Sequence, residues 1–336
     1  MTPDEVLLLV LLGGLTLYAL MGGADFGAGV WEFNTALQAT PRERAFLYRA
    51  IGPIWEANHV WLIFVLVGLF VGFPVAFAAL CRALWLPFLL ALAGIVFRGA
   101  GFVFHAYGED PSRARPAWSA VFALASTLAP FFLSASAWAI ASGRLEIGAD
   151  GTFSGSHATG WLNPMSIFGA FFGVAVCAYL ASVYLVRDAW RERERALMDL
   201  WRRRAIATGV WMGILSAAGL ALVMTEAPEL WASFAKRSWP LVAASVGAGV
   251  VSLAALVLRR PTLAAFSAAG AVAAVIWGWG LAQFPAIVPP RLTAAGTRAP
   301  DAVLDAVSIA IGGGFVLLAP ALVLLLRLFK AGRPRD

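Results

Sequence analysis

Charge is scarce in this 336-residue chain: 13% of its residues are Asp, Glu, Lys or Arg and 61% are hydrophobic, where soluble domains carry roughly a quarter charged. That shortage excludes a surface clothed in polar groups, and a mean hydropathy of +0.80 makes lipid the solvent. Cysteine is rarer still. Cys81 and Cys177 have no CxxC spacing, which excludes a sulfur metal site and argues against a disulfide framework, so both read as packing residues. Low-complexity tracts are absent. The first apolar run has no basic residues before it and no small-residue cleavage site after it, so it reads as a retained membrane helix and not as a removed signal peptide.

What is present is a series of long apolar runs. A hydrocarbon core of about 30 Å needs about 20 apolar residues per helix, and nine spans satisfy this: 6–31, 51–79, 82–104, 118–141, 164–186, 205–225, 239–258, 262–283 and 305–327. A β-barrel would instead show alternating segments of about ten residues. The expectation is an all-α, polytopic membrane protein forming a single transmembrane domain, with approximate halves 1–145 and 160–330. Basic residues mark the orientation. With the N-terminus outside, 18 of the Lys and Arg residues fall in inner loops, seven of them in RDAWRERERALMDLWRRR, and six in outer segments. An outside (periplasmic) N-terminus and a cytoplasmic C-terminus follow. The same rule accounts for the net charge of +6 without nucleic acid, and the arginine-rich run reads as a solvated connector beside the lipid headgroups.

Ionisable groups inside a bilayer cost on the order of 2.5–3.5 kcal/mol each on insertion scales, so they face protein or water and carry a function. Asp25 lies late in the first span, Glu56 and His59 early in the second, and Arg98 late in the third, with His105 at its inner end. The three helices thereby bring acids and a base to one depth on one side. Arg98 can neutralise Asp25 or Glu56, and the carboxylate left over can exchange protons. A static pair that fixes helix packing is the blander alternative. Gly22, Gly23, Gly27 and Gly29 give the first helix a small face for close packing. Glu56 and His59 have the Glu-x-x-His spacing of di-iron bundles, but neither the second pair nor the two further glutamates of such a site is present. A haem needs an axial His, Met or Cys, and three histidines, with His157 in a polar outer loop, are too few for several cofactors. The expectation is no metal and no cofactor in this chain.

The segments GGADFGAG, PIWEANHVWLIFVLVGLFVGFP and FRGAGF, followed by WLNPMSIFGAFFGVAVCAYLASVYL, WGWGLAQFPAIVPP and GGGFVLLAPALVLLLRLFK, resemble subunit II of cytochrome bd-type quinol oxidases from end to end. The resemblance implies two four-helix bundles plus a peripheral helix in a bacterial inner membrane. It implies a subunit I partner that binds haem b and haem d, or haem b alone, oxidises quinol and reduces dioxygen to water; it also allows a small single-helix subunit. Glu56 then occupies the position of the proton relay, Asp25 and Arg98 stand near the haem-facing region with His59 beside them, and Trp61 matches a position tied to dioxygen access. Departures are visible: Gly22 replaces a first acid, Glu56 an Asp, His59 a Glu or Gln, and Val103 a third-helix acid. A secondary transporter with a buried charged site in the first three helices, and a purely structural subunit, remain the alternatives.

Overall fold

The computed structural model describes residues 2–35, 40–51, 55–107, 114–156 and 160–331. The side chains of residues 34, 35, 51, 55–57, 106, 107, 114, 115, 315, 318, 319, 322, 323 and 325–331 lie outside that description, as does His157. The protein is all-α apart from two very short strands. Helix α1 is Pro3–Thr35, α2 Pro41–Ile51, α3 Trp55–Gly72, α4 Pro74–Ala83, α5 Trp85–Tyr107, α6 Ala114–Ala141, α7 Pro164–Arg191 and α8 Arg195–Glu226. Helix α9, Pro228–Ser233, runs through a π-helical turn into α10, Trp239–Val257. Then come α11 Pro261–Gln283, the antiparallel strands β1 Ala286–Val288 and β2 Leu292–Thr293, α12 Ala294–Thr297 and α13 Asp301–Ala331. Among the described residues seven helices are long and apolar enough to cross a membrane, and the α3–α4 pair, if it is one span, makes an eighth. The chain is a multi-pass membrane protein.

Two expected spans are redrawn by local chemistry. The run 51–79 is broken, for α3 stops at Gly72 and α4 leaves at a bend of 118°. Pro74 is the cause: a residue before proline is pushed out of the α region, and Phe73 sits at φ −136° and ψ 60° with Pro74 opening the next helix. Breaking the helix frees the Gly72 carbonyl, which accepts a hydrogen bond of 2.8 Å from the Ala299 amide. The third span therefore starts at Trp85 instead of 82. At the other boundary, α1 runs to Thr35, four residues past its expected end, and carries Glu32 into a buried position.

Helix α1 is the centre of the packing, in contact with α3, α6, α7 and α11. Helices α5 and α6 pack on each other, as do α10 and α11, while α7 joins α6 to α8 and α11. Close approach of α1 and α7 depends on one glycine. A Cβ at Gly27 would run into the carbonyl of Cys177, which is backbone and cannot yield. Cys177 is a free, buried thiol in the central cluster, and Cys81 is also free.

Apolar clusters close the two ends. At the arginine-rich end Phe46 and Leu47 of α2 pack with Leu197 and Trp201 of α8. At the other, Phe73, Leu80 and Leu84 pack with Val288, Leu292 and Leu304. The arginine-rich connector is not the solvated loop expected from its charge. Most of it is helical, Trp201 is fully buried, and Arg42–Glu194, Arg49–Glu192 and Arg204–Glu43 tie it to α2. Arg204 also lies over the rings of Trp31 and Trp201, at 5.2 and 4.6 Å, so stacking against α1 and α8 holds a charge that sequence alone assigns to water.

Adding a methyl group to Gly27 should destabilise the chain by about 1–3 kcal/mol through overpacking, whereas Gly13, which has open space at its Cβ position, should accept one. Thermal unfolding in detergent is the check, with G27A expected to melt below G13A.

Candidate functional site

Three helices converge on a buried ion pair. Asp25 lies in α1 and Arg98 in α5, with Arg98 Nη2 2.6 Å from Asp25 Oδ1. Arg98 is 1% exposed and Asp25 7%, so both charges are enclosed by this chain's own helices. Removing two charges from water is expensive, and the arrangement stands only where attraction and further contacts offset that desolvation. Here the further contacts are aromatic. The guanidinium carbon is 5.0 Å from the centroid of Phe26 and 5.5 Å from that of Phe122, the ring arrangement that suits a planar, weakly hydrated cation.

Helix α3 supplies the remaining groups. Asn58 is buried, adjoins the Asp25 carboxyl and donates from Nδ2 to the Met21 carbonyl at 3.4 Å. The His59 ring is 6.0 Å from that of Phe26 and 6.5 Å from that of Tyr18. Trp61 is buried in the cluster of Tyr18, Phe26, Ala129 and Cys177. The fold brings Asp25, Arg98 and His59 into one region, in keeping with their positions along the spans, and Trp61 joins them there. His105 stands apart, stacked on Tyr48 at 4.2 Å with an interplanar angle of 11°. Glu56 belongs to the first turn of α3, and its side chain lies outside the described residues.

The region is underbonded by protein. Tyr18 Oη, Asp25 Oδ2, Asn58 Oδ1, His59 Nδ1, Arg98 Nε and Nη1 and Ser126 Oγ are buried with no hydrogen-bond partner among the described residues. Leaving one such group unmet costs about 1–3 kcal/mol, and their grouping around the Asp25–Arg98 pair makes this place the candidate site. Imidazole and carboxyl groups can exchange protons, and the hydroxyl and amide groups can hold hydrogen-bonded partners beside them. No group of three or more His, Cys, Asp or Glu residues suited to a metal occurs among the described residues.

A second polar set escaped the sequence reading. Glu32, 2% exposed, accepts 2.7 Å from Ser119 Oγ of α6, and Arg44 of α2 approaches it to 3.8 Å. Tyr48 of α2 donates to Ser119 Oγ at 3.4 Å. Burial holds the Tyr48 phenol well above its usual pKa, with the Ser119 hydrogen bond opposing and the Glu32 charge adding. A signal existed, because Glu32 follows Asp25 by seven residues, two helical turns, and so shares its face. It was hidden by ending the first span at 31.

Residues 3–329 match the family model for cytochrome bd terminal oxidase subunit II. The chain belongs to that family. Among curated relatives it is 27% identical over 210 residues to cytochrome bd ubiquinol oxidase subunit 2 of Bacillus subtilis, a match covering 62% of this chain and 59% of that protein. It is 32% identical over 101 residues to cytochrome bd-I ubiquinol oxidase subunit 2 of Escherichia coli, covering 30% and 26%. A putative cytochrome bd menaquinol oxidase subunit II of Bacillus subtilis aligns over 98% of this chain and 96% of its own length, at 20% identity. The first of these matches thus spans about three fifths of the relative. Among solved structures, the bd oxidase from Geobacillus thermodenitrificans contains a chain of the same fold, with a TM-score of 0.78 and 22% identity over 99% of this chain and 100% of that one.

Breaking one side of the pair tests its energetics. D25N and R98M should each cost about 3–5 kcal/mol, because either leaves a buried group uncompensated. The double variant D25L/R98M should recover much of that loss. Midpoints of thermal unfolding of the purified protein decide between coupling and independent effects.

Proposed function

We propose that this chain is the haem-free subunit of a cytochrome bd-type terminal oxidase in a bacterial inner membrane, serving the respiratory chain by coupling quinol oxidation to the reduction of dioxygen to water. The observation that carries the reading is the enclosed Asp25–Arg98 pair and its underbonded surroundings, in a chain of this family. In this reading haem b and haem d, or haem b alone, reside in subunit I, which performs the redox chemistry. A single-helix subunit is compatible with the exposed apolar faces of α8 and α10.

The chain contributes a scaffold and access for protons. Glu56 takes up protons from the cytoplasmic side, and His59, close to it along α3, passes them toward Asp25, which Asn58 helps to position. Arg98 pairs with Asp25 and fixes its place, and Trp61 lines the dioxygen approach. The positive-inside bias supports an outside N-terminus, an inside C-terminus and nine crossings, with α13 as the peripheral helix beside α1 and α3. The halves 1–145 and 160–330 would then form two bundles within one domain. A secondary transporter would place charges at equivalent depths in both halves. In α10 and α11 no Asp, Glu, Lys or Arg occurs, and those of α8 stand at its ends, so that reading is not favoured.

Two measurements test the proposal. Affinity purification of the native chain should bring down a haem-bearing partner whose optical spectrum identifies the haem type, and a haem-free preparation would end the reading. In the intact complex, E56Q should slow quinol-driven oxygen consumption about tenfold or more while the haem spectrum stays unchanged. Wild-type turnover would remove the relay role.

A further inference from the structure

The two carboxylates of α1 are joined by more than their common face. Asp25, Gly29 and Glu32 follow at intervals of four and three residues and form one stripe of the helix. Helix α6 presents a matching stripe, Ser119, Phe122 and Ser126. At the arginine-rich end Ser119 Oγ donates to Glu32. At the deep end the Phe122 ring covers the Arg98 guanidinium that binds Asp25. Between them Ser126 is fully buried with no hydrogen-bond partner for Oγ, pressed against the backbone of α1 at Gly29, where a Cβ would overlap its side chain. A hydroxyl in that position is expensive unless something bonds to it, and it lies midway between the acids.

We infer that Glu32 is a proton-loading site, fed through Tyr48 and Ser119 and discharging past Ser126 toward Asp25. This rests on the oxidase reading above and adds an entry distinct from Glu56. Tyr48 is half-buried, and Arg44 beside Glu32 is 40% exposed at its side chain, so this end of the hydrogen-bonded set lies toward the surface. Each hydroxyl conserves its own composition: water protonates Tyr48 Oη as its O–H proton moves to Ser119 Oγ, and the Ser119 proton moves to the Glu32 carboxylate, which becomes neutral. No electron moves in these steps. The acids are seven residues apart, about 10 Å along the helix axis, and the Ser126 hydroxyl of α6 stands against the stretch of α1 between them. Arg44 approaches Glu32 no closer than 3.8 Å. The Asp25–Arg98 pair, by contrast, is in direct contact.

The test uses the intact complex, with E32Q, E32D, Y48F and S119A compared against E56Q. Turnover in E32Q should fall about tenfold with an unchanged haem spectrum and a larger solvent deuterium isotope effect, and E32D should recover most of it. Y48F and S119A, which keep the carboxylate and the packing, should each reduce turnover and raise the isotope effect. Wild-type turnover and isotope effect in both hydroxyl variants would overturn the inference even if E32Q failed to assemble. Slow E56Q beside full-rate E32Q would also overturn it while leaving the oxidase reading intact. Absence of any haem-bearing partner would end both.

Discussion

The contact between Asp25 and Arg98 is the constraint around which the first half of the molecule is arranged. A guanidinium enclosed at 1% exposure keeps its charge, and here a carboxylate and two aromatic rings offset the cost of burying it. Asp25 and Phe26 must therefore come from adjacent positions on α1, and Phe122 from α6, while α5 brings the arginine itself. Three helices are fixed in depth and rotation by one interaction. Gly29 extends the same requirement by letting α6 lie close enough for Phe122 to reach.

Helix α3 is held differently. It is tethered to α1 by the long Asn58 hydrogen bond and by ring contacts of His59, and it ends abruptly at Phe73. Asn58 Oδ1 and His59 Nδ1 of this helix are among the buried atoms that have no hydrogen-bond partner among the described residues.

At the arginine-rich end the short helix α2 acts as an electrostatic strap. Its Arg42 and Arg49 meet Glu194 and Glu192, its Glu43 meets Arg204, and its Arg44 and Tyr48 reach the Glu32 and Ser119 pair. Exposed ion pairs contribute little singly, about 0–1 kcal/mol, but Glu43 is 5% exposed and its partner is sandwiched by two tryptophans, so this contact is set in a drier medium than the rest. The strap couples the surface to both halves of the chain and positions the only tyrosine that reaches the Glu32 set among the described residues.

The sequence by itself determined the helical, membrane-embedded class, since long apolar runs admit no other way to satisfy a backbone in lipid, and it determined the depths of Asp25, Arg98 and His59, since position along a span fixes depth. It also carried the family, through motifs that run the length of the chain. Tertiary structure decided what depth cannot. Rotation about each helix axis chose Asp25 as the partner of Arg98 and turned Trp61 inward, and Pro74 turned one expected span through 118°. Glu32 illustrates the limit most clearly: a carboxylate one residue beyond an apolar run looks wet in sequence. It is dry only because α2 and α6, distant along the chain, close over it. Burial is a collective property of elements brought together by packing, so the seven-residue spacing could place Glu32 on the face of Asp25 but could not tell that this face is covered there.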